Sequence, residues 1–212
     1  MSPSIDDTLR QLPRGLWEQL RADPARAPEH LALAAADFHG PAAGAWAAEK
    51  RATFATGPDE LARMAKARHA TLARLGGAAI GVGGFITVIP DLAALAWIQS
   101  RLVFFVAAAY GYDANDPMRP AELLVIQGLY SDPATARAAL DGVGRSVVSA
   151  YADKRMNSDE ALASRLLKVV GKRATKRLAG RMIPGLAVVV NAVGNERDTR
   201  ALADRAIAFY GG

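Results

Sequence analysis

Few residue types in this chain are equipped for catalysis, and that narrows the chemistry at once. There is no cysteine, and the only histidines are His30, His39 and His69. Thiolate catalysis and sulfur-ligated zinc are excluded. No histidine pair has the i, i+4 spacing of a helical metal site, and no acid pattern resembles a calcium loop. The histidines are therefore expected at the surface or at helix ends, with no metal and no cofactor. The polar residues that stand out do so by context. Asp91 is the only acid between Leu61 and Tyr112, and Gln99 and Arg101 interrupt an otherwise apolar run from Leu92 to Val106. With Tyr110 and Asn191, they are candidate polar groups of a pocket between helices, where a few such contacts would orient an apolar or lipid-like ligand. Plainer roles stand beside that one. Asp91 can stabilise the first turn of its own helix. Arg101 can belong to a structural hydrogen-bond knot or reach solvent along its stem. Asp91 and Arg101 are ten residues apart, two to three helical turns, so they cannot pair along one helix. No nucleophile–base pair is readable, and catalytic residues are not assigned.

A second group of residues is notable for charge. The 212 residues carry 26 Lys and Arg against 21 Asp and Glu, a net charge of +5. That small excess is unevenly spread. Residues 61–90 contain Arg63, Lys66, Arg68 and Arg74 and no acid. Residues 161–195 contain Arg165, Lys168, Lys172, Arg173, Lys176, Arg177 and Arg181 and no acid. Together these stretches carry +11, and the rest of the chain carries −6. At 100° per residue, Arg165, Lys168, Lys172 and Lys176 fall within about 80° of one another, opposite Leu166, Leu167, Val170 and Leu178. Arg63, Lys66 and Arg74 likewise cluster opposite Leu61, Met64, Leu72 and Leu75. Each basic helix is followed by an uncharged segment with Gly and Pro, Leu75–Ile89 and Met182–Gly194. Basic amphipathic helices of this kind suit an anionic membrane surface. They also suit an ordinary solvated face over a bundle core. Nucleic-acid binding is disfavoured, because interleaved aromatics and a recognisable module are missing.

The elements that must position these residues are helices. Alanine accounts for 45 residues, while aromatics are only 7%. Alanine is the best helix former and lets helices approach closely. The punctuation predicts about eight to nine helices in one compact all-α bundle. A first helix carries Leu12, Leu16, Trp17 and Leu20, and a second opens at Pro28 and stops near Gly40-Pro41. A third covers 42–55, and Pro58, Asp59 and Glu60 start the next. Pro90-Asp91 opens a helix that runs to Tyr110, and another spans 120–130. Asp132-Pro133 starts one reaching Lys154, Asn157 with Glu160 resembles a capping box, and Asn195 is placed to cap the last helix. Trp17, Trp46 and Trp97 read as core. The glycines at 76, 77, 81, 83 and 84 lack the strand and lysine of a phosphate loop. They suit close helix packing or a shallow re-entrant segment, since a single helical span needs about 20 residues. The N-terminus has no basic region followed by an apolar run, which gives a cytoplasmic expectation.

Several short motifs coincide with those of one family. Gly83-Gly84, Ile89-Pro90-Asp91-Leu92, Ile98-Gln99-Ser100-Arg101-Leu102-Val103 and Tyr110-Gly111-Tyr112-Asp113 are the first group. Ile183-Pro184-Gly185 with Asn191 and Asn195 is the second. In these residues the chain resembles the EcsC family of bacterial proteins over roughly residues 50–212, with 1–49 as N-terminal helices packed against it. The resemblance implies an all-helical, largely cytoplasmic protein with some proximity to membranes, since the family is named for a protein encoded beside an ABC transporter. It carries over no catalytic residue. The expectation is thus a non-enzymatic helical protein, peripheral on the inner face of a membrane. A soluble binding protein for an apolar ligand and an enzyme are the alternatives.

Overall fold

The structure, a computed structural model, describes residues 12–79, 88–142, 158–170 and 186–212. Among these there are eight α-helices and no strand. In chain order they are α1 (Leu16–Ala22), α2 (Ala27–Phe54), α3 (Pro58–Ala79), α4 (Val88–Ala109), α5 (Arg119–Ile126), α6 (Pro133–Leu140), α7 (Ser158–Val170) and α8 (Leu186–Gly211). A short 3₁₀ turn, Pro24–Arg26, joins α1 to α2.

The core is built around α4. Every residue from Leu92 to Ala109 except Ala94 is buried, and α2, α3, α7 and α8 all pack on it. A helix that is apolar all round must be enclosed by protein or lipid. The Ile89–Ala109 stretch, 21 residues, is long and apolar enough to cross a membrane, but 94% of its most apolar window is buried by the other helices. The surrounding helices are amphipathic and Ala-rich. α3 buries Leu61, Ala62, Ala65, Ala70, Leu72 and Ala73. α7 buries Ala161, Leu162, Leu166, Val169 and Val170.

Three expected breaks are absent or displaced. Gly40-Pro41 does not end a helix: α2 continues for 28 residues through it. Pro41 removes the donor that the Asp37 carbonyl would accept, yet Ala35, His39, Gly40, Ala43 and Ala47 are buried along one face and hold the helix together. Gly40 is needed there, since a Cβ would lie 2.7 Å from the Ala114 carbonyl oxygen. The helix from Pro133 stops at Leu140 rather than near Lys154. Gly142 follows at φ +80° and donates to Ala139 O at 3.1 Å, a left-handed stop that glycine adopts readily. Asn195 does not cap a helix but lies inside α8, which begins no later than Leu186.

Three helix pairings orient the bundle. α3 and α8 are antiparallel, because Lys66 pairs with Asp204 and Arg74 with Glu196. α2 and α4 are parallel, because His39 meets Trp97 and Arg51 meets the carbonyls of Ala108 and Ala109. Tyr110, just past α4, bonds Asp59 at the start of α3, so those two are antiparallel. The C-terminal end of α3 therefore lies with the N-terminal ends of α4 and α8. The described parts of both uncharged segments, 75–79 with 88–89 and 186–194, come together at this one end of the layer.

Candidate functional site

Three groups of residues bear on function: the far end of the α3/α4/α8 layer, its middle, and the end where the uncharged segments meet.

At the far end α4 is stopped by a glycine device. Gly111 has φ +87°; its N–H donates to Ala108 O at 3.0 Å and the Tyr112 N–H donates to Ala107 O at 3.1 Å. This is a Schellman closure, which satisfies carbonyls the helix cannot. Arg51 of α2 adds a second bond to the Ala108 carbonyl and covers that of Ala109, with Nη2 at 2.7 Å from Ala108 O and 2.9 Å from Ala109 O. The chain turned by Gly111 delivers Tyr112 to Arg119 of α5. The buried Arg119 guanidinium lies 5.2 Å from the Tyr112 ring centre and 5.7 Å from that of Tyr210. It pairs with Glu122 and, at 3.5 Å, with Asp116. The Tyr210 hydroxyl donates to Glu122 Oε2 at 2.8 Å. Burial pushes the Glu122 carboxyl up, against the pull of Tyr210 and Arg119. Burial and then the Glu122 charge raise the Tyr210 phenol. Tyr110 donates to Asp59 Oδ1 at 2.7 Å, and burial with that bond raises its phenol to about 12. These contacts tie the C-terminus of α8 to α5 and to the turn after α4.

In the middle of the layer, α2, α3 and α4 bring His39, His69, Gln99 and Arg101 into the core. The expectation of surface or capping histidines is thus wrong for two of the three. His30 alone stays near a helix start, 3.4 Å from Asp23. His39 packs on Trp97, ring centres 4.3 Å apart, and His69 on Phe105 at 5.1 Å. The Arg101 guanidinium lies over the same Phe105 ring at 4.5 Å. A carbonyl can only accept, so the 2.8 Å contact of His69 Nδ1 with Ala65 O fixes the proton on Nδ1. Burial lowers both histidines to about 3, helped by the charge of Arg101. They are neutral at pH 7 and are not poised for proton transfer there. Ser100 Oγ donates to Ala96 O at 2.9 Å, not to either imidazole. Among the described residues no group of three His, Asp or Glu could hold a metal.

The five candidate pocket residues are spread out. Asp91 sits in the first turn of α4 and Tyr110 just past its last, about 28 Å apart at 1.5 Å per residue. Gln99 and Arg101 lie between them, and the side chain of Asn191 is outside the described residues. A surface groove of about 450 Å³ opens elsewhere, between α2, the 115–117 turn and α6, lined by Leu33, Asp37, Pro117 and Arg137 among others.

The candidate cations divide in a similar way. Arg63 meets Glu60 at 3.5 Å, Lys66 meets Asp204, and Arg74 meets Glu196 at 3.7 Å. The acid-free stripe of α3 is thus supplied with acids by α8. Arg74 nevertheless remains 62% exposed, and Leu75, expected to face the core, is 48% exposed. On α7, Lys168 is exposed and Arg165 half-buried; Lys172 and Lys176 lie outside the described residues. Two cations that the acid-free criterion missed are Arg197 and Arg200, both exposed on α8. Glu196 interrupts the sequence run, and the α3/α8 register brings Arg200 to the same carboxylate that Arg74 meets.

The EcsC protein family model matches residues 48–211. The chain belongs to the EcsC protein family. The EcsC match starts in the last two turns of α2 and takes in α3 to α8, so the α5/α8 contacts, His69 and Arg101 lie inside it and His39 before it. No curated protein and no solved structure matches the chain. The EcsC-like motif Tyr110-Gly111-Tyr112-Asp113 has a structural account here: a helix stop with one tyrosine anchored to α3 and the other to Arg119.

Proposed function

We propose that this EcsC-family protein associates peripherally with an anionic membrane surface through the end of the layer where the two uncharged segments meet. The observation that carries the reading is their convergence beside exposed Arg74 and Leu75. An exposed apolar side chain such as Leu75 next to cations suits an interfacial site: the apolar group enters the headgroup boundary while the cations remain at phosphate level. Arg197 and Arg200 add positive charge on the adjoining face of α8. α7, with Arg165 and Lys168, stands beside the end of α1, where Asp159 meets Arg21 at 3.5 Å, and the 3₁₀ turn there leads directly into α2. The start of α2 lies toward the same end, because α2 and α4 are parallel. Each cation near such a surface contributes about 1 kcal/mol, so three or four support reversible binding. The core polar layer has no part in this reading.

Flotation of the full chain with phosphatidylcholine vesicles, with and without phosphatidylglycerol, tests it. Binding is expected only to the anionic vesicles, and it should weaken as salt screens the contact. Failure to float with anionic vesicles at low salt would overturn the reading.

A further inference from the structure

Glu196 stands between two guanidinium groups from different helices. Arg74 of α3 reaches its Oε2 with Nη1 at 3.7 Å. Arg200, one turn along α8, reaches its Oε1 with Nε at 3.1 Å and Nη2 at 2.9 Å. The carboxylate is sheltered, with 22% of its side chain exposed, while Arg74 and Arg200 are open at 62% and 45%. Arg200 presents a two-nitrogen fork and Arg74 adds a second guanidinium at ion-pair distance, and guanidinium groups gathered on one oxygen-bearing anion are what phosphate groups use. Here the resident anion is a side chain with one negative charge against two positive ones.

We infer that Glu196 is an internal competitor for the phosphate of an anionic lipid headgroup. Away from a membrane it holds Arg74 and Arg200 and masks one of their charges. At an anionic surface it yields them to the lipid. The inference rests on the membrane reading above and adds its regulation. The magnitudes allow an exchange. An exposed ion pair is worth at most about five-fold in an equilibrium, and a cation at an anionic surface is worth about the same. The neighbouring Lys66–Asp204 pair shows what a structural contact on the same interface looks like. Lys66 is only 24% exposed and lies eight residues, about 12 Å, further from the apolar end.

The experiment compares Glu196→Gln with Asp204→Asn in the full chain. Both raise the net charge by one, so a general charge effect moves them equally. Partition onto phosphatidylcholine vesicles of increasing phosphatidylglycerol content should tighten about five-fold for Glu196→Gln and less than two-fold for Asp204→Asn. Glu196→Asp, with a shorter reach to Arg74, should fall between wild type and Glu196→Gln, which keeps the test open if the glutamine variant is less stable. Inorganic phosphate at matched ionic strength should leave binding unchanged; displacement by it would assign the site to free phosphate and overturn the lipid assignment. Equal tightening by both variants, or none by Glu196→Gln while wild type binds, would overturn the competitor role and leave the membrane reading standing. Absence of binding by wild type and all variants would overturn both.

Discussion

At one end of the α3/α4/α8 layer, Arg119 lies against the rings of Tyr112 and Tyr210, which also touch each other, pairs with Glu122 and Asp116, and is almost fully buried. At the other end Arg74 meets Glu196 at 3.7 Å with most of its side chain in solvent, and Leu75 beside it is half exposed. Both ends contain arginine paired with glutamate. Burial makes them different objects. Desolvated charges must be paired and geometrically satisfied, so the α5/α8 end acts as a clamp. Exposed pairs are weak and exchangeable, so the apolar end can give its cations to another partner. A pair that is easily surrendered is poor for stability and suited to binding.

The largest break in this comparison should come from the clamp. Arg119→Ala leaves the Glu122 carboxylate buried without its cation and should cost about 3–5 kcal/mol in urea denaturation. A cost below about 1 kcal/mol would mean that the clamped end is not held as described. Acid should act next, on the layer between the two ends. His39 and His69 are depressed to about 3, so the fold favours their neutral forms, while the unfolded chain takes up protons as pH falls below about 6.5. Their contribution is therefore complete above that value and is lost as pH falls toward 3. At pH 5 the loss should be about 2 kcal/mol for each histidine, and His69→Phe should flatten the stability–pH curve between pH 7 and 5. Gly111→Ala comes third. A Cβ there meets nothing closer than 3.9 Å, so its cost is conformational, about 1–2 kcal/mol for a left-handed residue, read as a lower melting temperature. The smallest effect belongs to the apolar end. Arg74→Gln should change stability by less than about 0.5 kcal/mol in the same urea titration, because it removes only an exposed pair.

The parts of the fold legible in the sequence are those fixed by neighbours in the chain. Pro58 with Asp59 and Glu60 does open α3, and Asp132 does cap α6, its Oδ1 accepting the Thr135 N–H at 2.8 Å. Trp97 is core, and Trp17 and Trp46 pack against it. What was not legible depends on partners far along the chain. Gly40-Pro41 reads as a stop because breakers act locally, whereas Gly40 is held in α2 by the approach of Ala114. His39 and His69 are polar residues whose enclosure is decided by Trp97 and Phe105 of α4. The acid-free stripe of α3 looks uncompensated because the acid that Lys66 meets is 138 residues away. The same register reveals Arg197 and Arg200, which no run of like charge announces. The uncharged segments were visible, but their meeting at one end follows from three helix directions that the sequence does not state.

The absence of cysteine makes the central claim directly testable. Single-cysteine variants Leu75→Cys and Phe209→Cys place a polarity-sensitive fluorophore at the apolar end and at the clamped end, both at exposed positions. On titration with phosphatidylglycerol-containing vesicles, the label at 75 should shift to the blue and the label at 209 should not. A shift at 209 with none at 75, or equal shifts at both, would contradict the assignment of membrane contact to the apolar end.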